Sequence, residues 1–156
     1  MNAFRWIPAL LLLLQPYFVA AQQTDVVKRT TRASYADVKE RVVFALENRG
    51  LVVTYTAKVG EMLDRTGKDI GAGGRIYRNA EVLTFCSALI SRETMTADAS
   101  NIVHCPYSIA VYNLEADPAH VHVAFRVPGK GNGPASAAAM AKVHKLLDDI
   151  VREAIP

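Results

Sequence analysis

Apolar and polar positions along this chain fall into strand and helix periods from residue 26 onward. Val26-Val27-Lys28-Arg29-Thr30 has the β-branched content of a short strand, and Ser34 stands three residues before Asp37 in the manner of a capping box. The helix that starts there carries an apolar stripe of Val38, Val42, Ala45 and Leu46, with Lys39, Glu40, Arg41, Glu47 and Arg49 on the wetter side and Gly50 placed as its cap. Leu51 to Thr56 reads as a second strand, so the opening third is β-α-β. Val59 to Asp69 has helical spacing at Val59, Met62, Leu63 and Thr66, weakened by Gly60 and Gly67.

Glu81 to Cys86 alternates as a third strand, and a polar, partly helical connection carries Leu89, Ile90, Met95 and Ile102. Tyr107–Leu114 and Val121–Val127 are two further strands across the turn-rich Glu115-Ala116-Asp117-Pro118, which predicts an antiparallel hairpin. In the second, Val121, Val123, Phe125 and Val127 share one face, while His120, His122 and Arg126 share the other. After a Pro/Gly-rich connector, Ser136 to Ala154 forms the clearest helix, with Met140, Val143, Leu147 and Ile150 facing inward and His144 exposed beside Lys142 and Lys145. This order predicts an α+β sandwich, with helices on one face of a mainly antiparallel sheet, in a single domain over 22–156.

The first twenty-one residues read as an address. Arg5 precedes an apolar run from Ile7 to Leu14, and Val19-Ala20-Ala21 supplies the small residues of a cleavage site. Pro8, Gln15 and Pro16 keep that run shorter than the ~20 residues needed to span a bilayer. The expectation is a periplasmic or secreted protein beginning at Gln22, with no membrane span after signal cleavage. Within the 156 residues, a net charge of +3 is scattered rather than massed, which argues against nucleic acid.

Ala80 to Ala88, followed by Met95-Thr96-Ala97-Asp98, Asn101-Ile102 and Cys105-Pro106 to Tyr112, resembles the domain of unknown function 302 family. The resemblance runs from Tyr35 to about Pro128 and is most specific around Cys86 and Cys105-Pro106. It implies a TATA-binding-protein-like fold, β-α-β(4)-α, with a sheet gripped by its helices and often paired in a homodimer. It implies no activity, and a fold shared with a DNA-binding protein says nothing of DNA here.

Cys86 and Cys105 match the two cysteine positions of that family, and lie 19 apart. Two readings of the pair stand. One is a structural disulfide of an exported protein; the other is a thiol-redox pair, with His104 beside Cys105 and Ser87 opening a helix behind Cys86, although no C-x-x-C spacing is present. His120 and His122 on one strand face, with His104 or a thiolate, are candidate metal ligands. His104, Cys105 or Met95 is a candidate axial ligand for non-covalent haem, since no C-x-x-C-H is present.

Hydrolase chemistry has no support: Ser87 and Ser108 sit in no nucleophile elbow, and Asp37, Glu40, Glu61, Asp64 and Glu81 are dispersed. Gly71-Ala72-Gly73-Gly74 lacks the phosphate-binding order and reads as a turn. The functional expectation is therefore a non-enzymatic ligand-binding or interaction module, stapled by Cys86 and Cys105, for a small ligand or a periplasmic partner. Its pocket is expected between sheet and helices, from Met62, Phe85, Met95, Tyr107 and Tyr112. The alternative is a thiol-redox or metal- or haem-binding protein using Cys86, Cys105 and His104. No cofactor is otherwise expected.

Overall fold

Local chemistry at the first helix shows how the chain turns pattern into structure. In the computed structural model, which describes residues 25–155, Ser34 caps α1 (Tyr35–Glu47) by accepting from the Asp37 amide at 3.2 Å. The far end closes on Gly50 at φ +66: its amide reaches the Glu47 carbonyl at 2.8 Å, and the Leu51 amide reaches Leu46 at 3.0 Å. That is the Schellman arrangement, which consumes Leu51 and delays the next strand to Val53. Val38, Val42, Ala45 and Leu46 are wholly buried, as their spacing predicts. The leader at 1–21 and its cleavage point lie outside the described residues.

The remaining elements are β1 (Val26–Thr31), β2 (Val53–Ala57), α2 (Val59–Gly67), β3 (Tyr77–Phe85), α3 (Ala88–Ala97), β4 (Tyr107–Leu114), β5 (Val121–Arg126) and α4 (Gly133–Ala154). Short 3₁₀ turns follow α2 at Lys68–Ile70 and α3 at Ala99–His104. The five strands form one sheet in the order β1-β5-β4-β3-β2, with every neighbouring pair antiparallel. The first two strands therefore lie at opposite edges, and α1 carries the chain from one edge to the other. The last three then meander back until β5 meets β1.

Alternation decides which side of the sheet is covered. In β4, Tyr107, Ile109, Val111 and Asn113 are buried and the residues between them are partly open. Leu83 and Phe85 of β3 join Val121, Val123 and Phe125 of β5 on the buried side, against Val38, Val42 and Leu46 of α1 and Met140, Val143, Leu147 and Ile150 of α4. Each of these side chains removed from water contributes about 1.5–3 kcal/mol. α3 packs on α4, and α2 lies against β3, where Gly60 comes so near Ala80 that an added Cβ would sit 3.2 Å from the Ala80 amide nitrogen.

Three differences from the sequence reading have physical reasons. β3 begins four residues before Glu81 because Tyr77 and Ala80 pair with Leu114 and Tyr112, and the Asn113 side chain accepts from both the Asn79 amide (3.0 Å) and its Nδ2 (3.1 Å). Tertiary pairing there overrides weak strand propensity. α4 begins at Gly133 rather than Ser136, with Pro134 in its first turn where a missing N–H costs nothing. His144, expected exposed, is half-buried, its ring edge-on to Phe125 at 5.6 Å.

Candidate functional site

Phe85 and Tyr107 face each other across the β3–β4 ladder, so the segment between them leaves the sheet and returns to the same place. Cys86 and Cys105 stand at the neck of this excursion. Their Sγ atoms lie 3.1 Å apart as free thiols, a hydrogen-bonded contact rather than the ~2.05 Å of a bond. Cys86 is exposed, and its pKa is pushed up to about 11, first by the hydrogen bond it shares with Cys105 and then by burial. At neutral pH it holds its proton. Ser91, on α3, donates to the Tyr107 hydroxyl at 3.4 Å and lies 3.7 Å from the Cys105 sulfur.

The excursion is fastened to the body as well as pinched at its neck. Ser87 caps α3 through the Ile90 amide, and Asp98 caps the following 3₁₀ turn through Ser100. Buried Asn101 donates from Nδ2 to the Thr94 carbonyl (2.9 Å) and to Ser136 Oγ on α4 (2.8 Å). Asp98 also accepts from Asn132, and Lys142 of α4 pairs with Glu93. Gly131, at φ +67, approaches Ser136 so closely that a Cβ there would fall 2.0 Å from its Oγ.

Where the excursion returns, the sheet opens. The β4–β5 ladder pairs Ala110–Asn113 with Val121–Ala124 and stops. Its register, continued, would set Ser108 opposite Arg126, Tyr107 opposite Val127 and Pro106 opposite Pro128. Neither proline can donate to a ladder, and there the two strands part. β5 nonetheless continues along β1, with Val127 donating to the Asp25 carbonyl at 2.8 Å.

The parting leaves a cleft of about 790 Å³. Val26, Val82, Ala110 and Ala124 line it on the open side of the sheet, and Phe125, Tyr107, Val143 and Leu147 on the helix side. Val103, His104, Pro106, Ser108, Arg126, Val127, Pro128 and Gly129 complete its wall. The His104 ring lies over Gly129, where an added Cβ would come 3.7 Å from Cε1. Its volume is in the ligand-sized range, and its surface mixes polar and apolar groups in nearly equal share.

The structure brings some of the expected site residues together and separates others. His104 and Tyr107 line the cleft, and Cys105 adjoins it through Pro106. Phe85 is core, edge-on to Tyr107 at 5.9 Å. Tyr112 packs against Tyr77 and His122, at 5.6 and 4.9 Å between ring centres. Met62 belongs to a separate groove beside Tyr55 and Arg65, and Met95 is half-buried on α3 outside the cleft. Met62, Phe85, Met95, Tyr107 and Tyr112, expected to share one pocket, therefore do not line a common cavity; of them, Tyr107 lines this cleft. Its opening depends on where a ladder stops, for which the two prolines are the sequence signal.

Each imidazole of the expected histidine pair has its own protein partner. His120 Nε2 accepts from Arg32 at 3.2 Å, which directs its Nδ1 proton to the Asp117 carboxylate at 2.8 and 2.9 Å. His122 Nδ1 is hydrogen-bonded to Thr30 Oγ1 at 2.8 Å, and its pKa is lowered by burial and by nearby Lys28. Among the described residues no group of three or more His, Cys, Asp or Glu side chains is placed to hold a metal ion. No helix among them is long and apolar enough to cross a membrane.

With this geometry in place, the comparisons with known proteins fall into line. The model of the family described as "Domain of unknown function DUF302" matches residues 27–154, from β1 to the end of α4. This chain belongs to the DUF302 family. The membership takes in the first strand and last helix, beyond the stretch from Tyr35 to Pro128 that carries the sequence resemblance. A solved DUF302 structure, an uncharacterized conserved protein from Bacillus stearothermophilus, superposes with a TM-score of 0.70 at 16% identity, covering 84% of this chain and 98% of its own. At that identity the likeness establishes the fold of a DUF302 domain and nothing of its chemistry. No curated protein matches the chain.

Proposed function

We propose that this DUF302 protein is an exported, non-enzymatic ligand-binding module, with the cleft between β4 and β5 as its binding site and the Cys86–Cys105 pair as its staple. The observation that carries the reading is the interrupted β4–β5 ladder, beside which a ligand-sized cleft lies. Such an opening forgoes strand hydrogen bonds and apolar contacts, a cost that a bound molecule offsets. The cysteine contact supports the staple: two sulfurs already 3.1 Å apart need only a small approach to bond. Bond formation removes two protons and two electrons from the pair, passed to the thiol oxidant of an oxidising compartment.

Methyl-resolved NMR of the purified protein titrated with a library of small apolar molecules tests the site. Shifts are expected at Val127, Val143 and Leu147; binding that moves only residues outside the cleft, or none at all, counts against it. An intact mass lighter by two hydrogens, with a Cys86–Cys105 reduction potential below about −300 mV, is expected of a staple. A labile potential favours the thiol-redox reading instead.

A further inference from the structure

We propose that Asn132 and Gly133 form a self-modifying site, at which the asparagine amide is lost through succinimide closure and hydrolysis, and the fastening between the excursion and α4 is cut. Gly131, Asn132 and Gly133 stand in sequence at the entry to α4, and all three are exposed. Gly133 has no Cβ to shield its own backbone nitrogen, and one added there would meet nothing within 4 Å. Among the described residues the other asparagines, Asn48, Asn79, Asn101 and Asn113, precede Arg, Ala, Ile and Leu, whose Cβ atoms crowd that nitrogen.

The structure leaves the reacting atoms uncommitted. Asn132 is the N-cap of α4, yet its side chain makes no capping hydrogen bond, so its carbonyl is not held by the first turn. Its Nδ2 donates instead to Asp98 Oδ2 at 3.0 Å. The Gly133 amide is one of the leading amides of α4, which have no intrahelical acceptor, and no other backbone acceptor takes it. Closure turns Asn132 out of its extended backbone, φ −99° and ψ 112°, and Gly133 leaves room for that turn. The Gly133 nitrogen gives its proton to water and attacks Asn132 Cγ. The N–Cγ bond forms, the Cγ–Nδ2 bond breaks, and Nδ2 departs with a proton as ammonia. One water then opens the five-membered imide, at Cγ to give aspartate or at the main-chain carbonyl to give isoaspartate, with no oxidation or reduction. Either product carries a carboxylate where Asn132 supplied a donor. It faces Asp98, which has no hydrogen to return, so an attraction becomes a repulsion between like charges. Asp98 also caps the 3₁₀ turn after α3, and the change is therefore felt where the excursion turns home.

The purified protein, kept warm at mildly alkaline pH, is sampled by peptide mapping with a urea-unfolded portion beside it. Aspartate and isoaspartate are expected to accumulate at Asn132, at a native rate within tenfold of the unfolded one and well ahead of exposed Asn48. Native conversion more than tenfold slower than unfolded, or no faster than at Asn48, overturns the site. Asn132→Gln, whose longer side chain closes such a ring far more slowly, is expected to stay intact. Asn132→Asp installs the product directly and tests its consequence by hydrogen exchange. The Asn101 and Cys105 amides, hydrogen-bonded within and after the 3₁₀ turn, are expected to exchange severalfold faster than in the unmodified protein, with α1 unchanged. Unaltered exchange at those amides overturns the loss of the fastening.

Discussion

Cys86 is held in its thiol form by a neighbour rather than by a hydrophobic tomb. The sulfur is exposed, yet the hydrogen bond with Cys105 outweighs burial in raising its pKa to about 11. In the reduced protein its alkylation rate is therefore expected to rise with a midpoint near pH 11, read by mass spectrometry, and Cys105→Ser should move that midpoint down toward the ordinary thiol range. The sign for stability follows: the thiol–thiol contact supports the fold fully below the ordinary thiol pKa and loses that support as pH rises through about 11. A second residue carries a larger penalty. Gly131→Ala would combine a left-handed backbone with a Cβ lodged against buried Ser136, and a loss above about 2 kcal/mol is expected in urea unfolding.

At the scale of elements, the excursion and the splayed strands act together. The same return of chain at Cys105-Pro106 closes the neck of α3 and opens the gap beside β4. Hydrogen exchange should register the gap: amides of Tyr107–Ile109 directed toward β5 are expected to exchange faster than those of Ala110–Asn113, although all lie in one mid-sheet strand. Equal protection along β4 would show the ladder to be complete. Most elements were legible because their signals are local. The Val38-Val42-Leu46 stripe, the Ser34 cap and the alternation in β4 need no partner to be read. The first half of β3 was not legible, since it is a strand only by pairing with Tyr112–Leu114. The cysteine neck follows from two strand ends. The cleft required knowing that Pro106 and Pro128 come to face one another, a fact of register that periodicity does not carry.

For the molecule as a whole, the cysteine contact and the fastenings on α4 tie the excursion to the body. With eighteen residues between the cysteines, closing the loop is worth about 3 kcal/mol in the chain-entropy model. Thermal unfolding of oxidised protein is thus expected above that of the Cys86→Ser, Cys105→Ser variant by several degrees, with ligand binding at low temperature retained. A difference of zero would mean that Asn101, Asp98 and Lys142 already hold the segment.

The pairing of β1 with β5 has a consequence in time. Val26 lies beside Arg126, a hundred positions along the chain, and no nearer strand can take its place because β2 sits at the other edge. Loop closure over such a distance has to precede the contacts that reward it, which places this topology among slow folders. Until β5 has left the ribosome, β1 has no ladder to join and α1 only part of a sheet to lie on. The order of the strands thus leaves β1 unpaired through most of synthesis, and the sheet is completed only when one of its last elements arrives to meet its first.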